Sequence, residues 1–355
     1  MEIKRNNYTV KIDEPIVYAD NQKRKRSGHM THAMAEFAPG KVIDFNSNCS
    51  AVRWMGHSPY GWIEYRISED SGKTFGEINT LPYSVESFLD GVYAISVEKA
   101  VATDDGTIVA FCLRNDATGP TACEPWNTPT CVTSCDGGKN WSLPNEIIPY
   151  RGRIYDAVYH KGIIYVLIFC NENFIGKEKE HVYRIYKSED NGKSFEELCI
   201  PPIDGIGRGY SSLLFDDEDV LHVYAYNDNS QSELDHAISR DFGKTWDVLK
   251  PCFMAKGARN PQTAIINGVY VLHCRAQDMK SLVLYTSEDG QNWDEGICVS
   301  PHDYGAGAYY SNNIRIKDEK GEFLLVQYSS PYTEAENPEF VCTVNVMHTK
   351  VRIER

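Results

Sequence analysis

Residues 188–195 read SEDNGKSF, and near copies return along the chain: SEDSGKTF at 68–75, SCDGGKNW at 134–141, SRDFGKTW at 239–246 and a shortened SEDGQNW at 287–293. The intervals between their leading serines are 66, 54, 51 and 48 residues. This recurrence constrains the fold more than any other feature. Each interval holds one supersecondary unit, and units too small to bury their own apolar faces must stack on their neighbours. The unit around the fourth copy shows its content: SSLLF (211–215), the turn DDED, VLHVYAY (220–226), DHAIS, the octet and DVLK. That pattern predicts four short antiparallel strands with the octet as the turn between the third and fourth. Four strands in about fifty residues make a β-propeller blade.

Five octets mark five blades. The tail supplies a sixth with three strands, AYYSNNIRI, EFLLVQYSS and FVCTVNVMHTKV, and the N-terminal NYTVKID (7–13) is expected to add the outer strand and close the ring. The expected fold class is all-β: a six-bladed β-propeller with four-stranded antiparallel blades, one domain over 1–355. The octets themselves read as structural. Their Ser and Asp side chains cap the turn's own amides, Gly supplies a positive φ, and the closing Phe or Trp packs back between strands.

Composition narrows the function. The net charge is −14, with no basic cluster beyond Lys23–Arg26, which argues against nucleic acid or an anionic membrane as partner. An anionic substrate therefore needs a locally basic pocket. The 11 cysteines are scattered singly, without metal-ligand spacing, and read as buried thiols of a reducing compartment. No apolar leader opens the chain, so a cytoplasmic location is expected. No cofactor or metal is implied. The 22 tyrosines and 6 tryptophans suit both strands and sugar-stacking surfaces.

In a blade, first strands start and second strands end on the funnel face, whereas the octets lie on the opposite face. Polar residues at those two positions are the site candidates. They are His29 and His32 in blade 1, Glu98 and Arg114 in blade 2, and Arg153 and Asp156 in blade 3. Arg208 and Tyr210 open blade 4. Arg259, Arg275 and Asp278 belong to blade 5, and Tyr309 and Tyr310 open blade 6. The insert 117–131, with Trp126 at its tip, is expected to overhang the funnel. Several arginines with a glutamate, an aspartate and a tyrosine suit a carboxylated sugar, because guanidiniums clamp carboxylates bidentately. A neutral phenol is a sensible nucleophile at an anomeric carbon that bears a carboxylate, provided an adjacent glutamate takes its proton.

The octets resemble Asp boxes, and the chain resembles the sialidase (neuraminidase) superfamily with its blade order circularly shifted. ARNPQTAIINGVYVLHCRAQD is similar to that family's first blade, which implies Arg259 as carboxylate binder, Arg275 beside it and Asp278 as acid/base. SVEKAVATDDGTIVAFCLRND resembles the Glu-to-Arg blade, with Glu98 as base and Arg114 as a second carboxylate binder. GYSSLLF resembles the blade bearing the nucleophile, here Tyr210. The family's third arginine has no clear counterpart; Arg153, Arg208, Lys177, Lys179 or His181 could substitute. The resemblance implies a retaining exo-glycosidase that releases sialic acid or a related nonulosonic acid, with a sialylated or other acidic glycan as its partner. Two other readings are a polysaccharide lyase on uronates, using His29, His32 and Tyr310, and a non-catalytic glycan-binding propeller.

Overall fold

The computed structural model describes residues 1–51, 61–116, 128–170, 182–303, 308–333 and 343–355. Six antiparallel sheets stand around an axis as a six-bladed propeller. Blade 1 runs through His32–Ala38, Lys41–Cys49, Gly61–Ser68 and Asn79–Thr80. Blade 2 runs through Tyr93–Ala102, Ile108–Asp116, Thr128–Ser134 and Asn145–Glu146. Blades 3, 4 and 5 repeat the plan from Arg153–His160, Arg208–Phe215 and Arg259–Ile266, and blade 6 begins at Ser311–Asp318. Each first strand neighbours the next, and the sixth returns to the first. Blades pack face to face, so their middle strands are covered on both sides. That is why Ile163–Cys170 reads as a continuous apolar run, IIYVLIFC, buried from Ile164 onward.

The ring closes between the two ends of the chain, as expected, with more strands than expected. Thr9–Ile12 pairs outside Val344–Glu354, Glu2–Lys4 adds a further strand, and Ile16–Ala19 pairs with the opposite half of the same long strand. A buried polar knot spans this seam. His348 Nε2 lies 2.9 Å from Asp44 Oδ2 of blade 1. The Gln327 amide donates to the same carboxylate and to the Phe45 carbonyl, while the Tyr18 ring stacks on His348 at 4.2 Å. Burial pushes the Asp44 carboxyl above its ordinary range, with His348 opposing.

All five octets form the turn between the third and fourth strands of their blades, as the spacing predicts. Each leading Ser Oγ donates to the Asp two residues on, at 2.8–2.9 Å, and accepts from the octet's glycine N–H at 2.8–3.0 Å. Side-chain and backbone donors from Asn140 and Thr245 hold Asp136 and Asp241 at about 2. Gly72 sits at φ +69, where a Cβ would stand 2.8 Å from Leu325 of blade 6. The closing aromatics reach across to the preceding blade: Trp141 packs against Phe45 and Tyr65, and Phe195 against Phe111.

On the axis, Lys99 Nζ of blade 2 meets Asp156 Oδ1 of blade 3 at 2.9 Å. It also donates to Asn312 Oδ1 of blade 6 (2.8 Å) and Gln262 Oε1 of blade 5 (3.2 Å). Asp156 Oδ2 accepts from Ser212 Oγ and Leu213 N of blade 4. Asp156 is thus a structural anchor beneath the funnel rather than a group lining it. Removing one partner of a buried ion pair strands the other charge and costs about 3–5 kcal/mol. Asp156→Ala should therefore lower unfolding free energy by that amount in urea titrations, and the double variant Lys99→Met/Asp156→Ala should recover part of the loss.

Candidate functional site

Four first strands slip register near their funnel ends. The breaks fall between Val97 and Lys99, Ile154 and Asp156, Arg208 and Ser211, and Arg259 and Gln262. The residues that step out of the ladder are Glu98, Tyr155, Gly209–Tyr210 and Asn260–Pro261. Bulges re-aim side chains, and here Glu98, Tyr155, Tyr210, Asn260 and Pro261 all line one cleft with His32, Arg153 and Tyr310. The described walls leave about 50 Å³, one or two water volumes at about 30 Å³ each. That admits a carboxylate-sized group rather than a whole sugar. A larger cavity of about 550 Å³ opens at the other end of the axis, with Glu36, His160, Asp216 and Arg315 in its walls. The four funnel-end bulges and the buried Arg153 belong to the small cleft, which is therefore the candidate site.

Tyrosines and arginines interleave around this cleft. Tyr210 is buried, with Arg153 Cζ 5.5 Å and Arg259 Cζ 5.6 Å from its ring centre. Arg153 also stacks on Tyr155, Arg259 on Tyr226, and Arg275 on Tyr310 at 4.9 Å. Arg259 and Arg275 are directly opposite each other across their strand pair. Two like charges so placed repel unless an anion or π-faces intervene. Arg153 Nη2 lies 3.8 Å from Glu98 Oε2, and Glu98 Oε1 accepts from Ser96 Oγ at 2.7 Å. Burial raises the Glu98 carboxyl above its ordinary value, while Arg153 and Ser96 pull the other way. Such a carboxylate is a better proton acceptor than an exposed one.

The structure brings Glu98, Arg153, Tyr210, Tyr310 and His32 into one cleft, with Arg259 against Tyr210 and Arg275 against Tyr310. It does not bring Arg114 or Asp278. Arg114 Nη2 pairs with Glu146 of the outer strand at 2.7 Å and its guanidinium covers Tyr93, whereas Arg153 lines the cleft. Asp278 is exposed on the turn after Arg275, its Oδ1 accepting from Lys280 N at 2.9 Å. Arg208 is drawn to Asp235. Tyr309 is fully buried and donates to Ser300 O. Lys177, Lys179, His181 and Trp126 lie outside the described residues, and the end of the supposed overhanging insert, 128–131, is instead part of the strand Thr128–Ser134. Residue-by-residue reading missed Tyr155, Ser211 and Asn260. Their one signal is position, within two residues of the strand starts that nominated Arg153, Tyr210 and Arg259.

Comparison with known proteins bears on the fold. No protein-family model matches the sequence, and no curated protein matches it. Among solved structures, a protein of unknown function from Dyadobacter fermentans is similar over 97% of this chain and 99% of its own, at TM-score 0.71 and 14% identity. The Hadza microbial sialidase Hz136 is similar over 96% of this chain and 68% of its own, at 0.68 and 11%. An α-L-arabinanase from Penicillium chrysogenum is similar over 95% and 98%, at 0.60 and 13%. The chain has a sialidase-like six-bladed propeller fold.

Glu98 gives this site a pH signature in stability. Its folded pKa is raised, so folding favours the protonated form. That contribution is present below the unfolded value, about 4.3, and is lost as pH rises through the folded pKa. Urea unfolding at pH 4, 5, 6 and 7 should show Glu98→Gln gaining stability relative to wild type as pH rises.

Proposed function

We propose that this propeller is a retaining exo-glycosidase that releases a terminal sialic acid or related nonulosonic acid. The observation that carries the reading is a bulged, buried Tyr210 held between Arg153 and Arg259 in the same cleft as Glu98. The similarity in fold to a sialidase supports it, and the similarity to an arabinanase supports glycoside chemistry more broadly.

Arg153, Arg259 and Arg275 take the sugar's carboxylate, which relieves the repulsion among three gathered guanidiniums. Tyr210 Oη then attacks C2. Its proton passes to Glu98, and the neighbouring guanidiniums stabilise the negative charge that grows on the phenol oxygen as that proton leaves. The bond from C2 to the leaving oxygen breaks as Asp278, reached by movement of its exposed turn, gives that oxygen its proton. Water from the same side next attacks C2 and loses its proton to Asp278, the bond from C2 to Tyr210 Oη breaks as Glu98 returns the phenol's proton, and the sugar leaves with its configuration retained.

Hydrolysis of a 4-methylumbelliferyl α-sialoside is the test. Wild type should release the fluorophore, and Tyr210→Phe should lose on the order of 10³-fold or more in kcat/KM. Asp278→Asn should cost about 10²-fold on a sialyl-oligosaccharide, whose leaving group needs a proton, and under about threefold on the aryl sialoside, whose leaving group does not. The exposed position of Asp278 favours a second reading, a glycan-binding propeller without turnover. Wild-type binding of sialosides with no fluorophore released would select it. An ultraviolet-absorbing unsaturated product from uronate polymers would select a lyase and overturn both.

A further inference from the structure

The wall opposite the arginines carries a different chemistry. His32 opens the first strand of blade 1, lines the cleft and is 3% exposed. Its Nδ1 lies 3.1 Å from Gln327 Oε1. The Gln327 amide nitrogen is committed to Asp44 and to the Phe45 carbonyl, the latter an acceptor only. The amide is therefore oriented with its oxygen toward His32, and Nδ1 must carry the ring proton. Nε2 then presents a lone pair, and it meets no hydrogen-bond partner among the described residues. Burial holds the ring's pKa down at about 3, so the lone pair persists at any physiological pH.

Two other buried polar atoms of the same cleft share this condition among the described residues: Ser211 Oγ, on a residue 1% exposed, and Asn260 Oδ1. Buried polar atoms without partners are costly and uncommon. Three converging on one cleft point to ligand groups that complete them. The first strand of blade 1 thereby shares one small cleft with Arg153 of blade 3, so that an acceptor and a cation line the same space.

We propose that His32 is a specificity-determining residue that accepts a hydrogen bond through Nε2 from an O–H or N–H group on the sugar whose carboxylate the arginines hold. This deepens, and rests on, the sialic acid reading. The cleft then selects ligands that carry both an anion and a hydrogen-bond donor. It rejects a second anion on the His32 side, where a neutral acceptor offers no proton.

Two measurements test this. Calorimetry would compare wild type and His32→Phe for 2,3-didehydro-2-deoxy-N-acetylneuraminic acid, which has ring donors, and for 2-furoic acid, a ring carboxylate without another donor. Loss of one hydrogen bond should weaken the first ligand about tenfold in the variant and leave the second within twofold. Long-range proton–nitrogen correlation on histidine-labelled wild type would report the tautomer directly, with the His32 signal assigned by its absence from the variant. A ring protonated at Nδ1 whose Nε2 shift moves when the didehydro sugar binds is the expected result. A ring protonated at Nε2, or equal sugar affinity in both proteins, overturns the role of His32 alone. Wild type that binds furoate but not the sugar overturns the sialic acid reading and the inference with it.

Discussion

The ion pair between Lys99 and Asp156 on the propeller axis is the interaction on which the rest of the molecule depends. Through it, blades 2 and 3 are joined to Ser212 of blade 4, Gln262 of blade 5 and Asn312 of blade 6. Each anchor stands next to, or two residues from, a residue of the cleft in its own strand: Glu98 before Lys99, Tyr155 before Asp156, Tyr210 and Ser211 before Ser212, Pro261 before Gln262. Fixing the axial layer therefore fixes the cleft layer one step above it. A buried pair is an expensive way to hold blades together by stability alone. Its use here is geometric, since a hydrophobic axis would tolerate small rotations of a blade and a network of directed donors does not.

The cleft gathers three arginines in a protein whose net charge is −14. It tolerates them because neutral phenols stand between the guanidiniums. Arg153 is flanked by Tyr155 and Tyr210, and Arg259 by Tyr210 and Tyr226. Each stacked contact returns about 0.5–2 kcal/mol, and Glu98 neutralises part of the charge nearest the axis. The remaining excess is positive and preorganised, so a carboxylate entering the cleft meets donors already in place. The two groups assigned to bond-making, Tyr210 and Glu98, both sit on bulges, where the ladder gives up regular pairing to aim a side chain.

Much of this was legible in the sequence, for reasons that differ by level. The octets encode a turn within eight residues, so their Ser, Asp and Gly positions reveal blade count and turn geometry directly. Strand starts are equally local, and they nominated Glu98, Arg153, Tyr210, Arg259 and His32. Arg114 was misleading because its position at a strand end does not say which way the side chain leans, and Glu146 on the outer strand captures it. Asp278 sits on a turn short enough for its carboxylate to cap, which its sequence position does not reveal. The axial network was not legible as a network. Asp156 stood out only as a strand-start residue, and the partners that join Lys99, Asp156, Gln262 and Asn312 across the axis lie from 56 to 213 residues away.

A ring leaves the entry point of the chain free, but not without consequence for the site. In this chain the seam falls between blades 6 and 1, where Thr9–Ile12 and Ile16–Ala19 pair with Val344–Glu354. Gln327 and His348 on the blade 6 side and Asp44 on the blade 1 side lock that seam, and the same Gln327 sets the proton on His32. The neutral wall of the cleft is thus built on the closure of the ring, while its cationic wall is built on blades 3 to 5, away from the chain ends. Disturbance at the N-terminal strands should reach ligand selectivity through His32 before it reaches the arginines or Tyr210. Closing the fold and presenting the His32 acceptor share one hydrogen-bond network: the same Gln327 amide that holds blade 6 to blade 1 keeps the ring proton on Nδ1 and leaves the Nε2 lone pair facing the cleft.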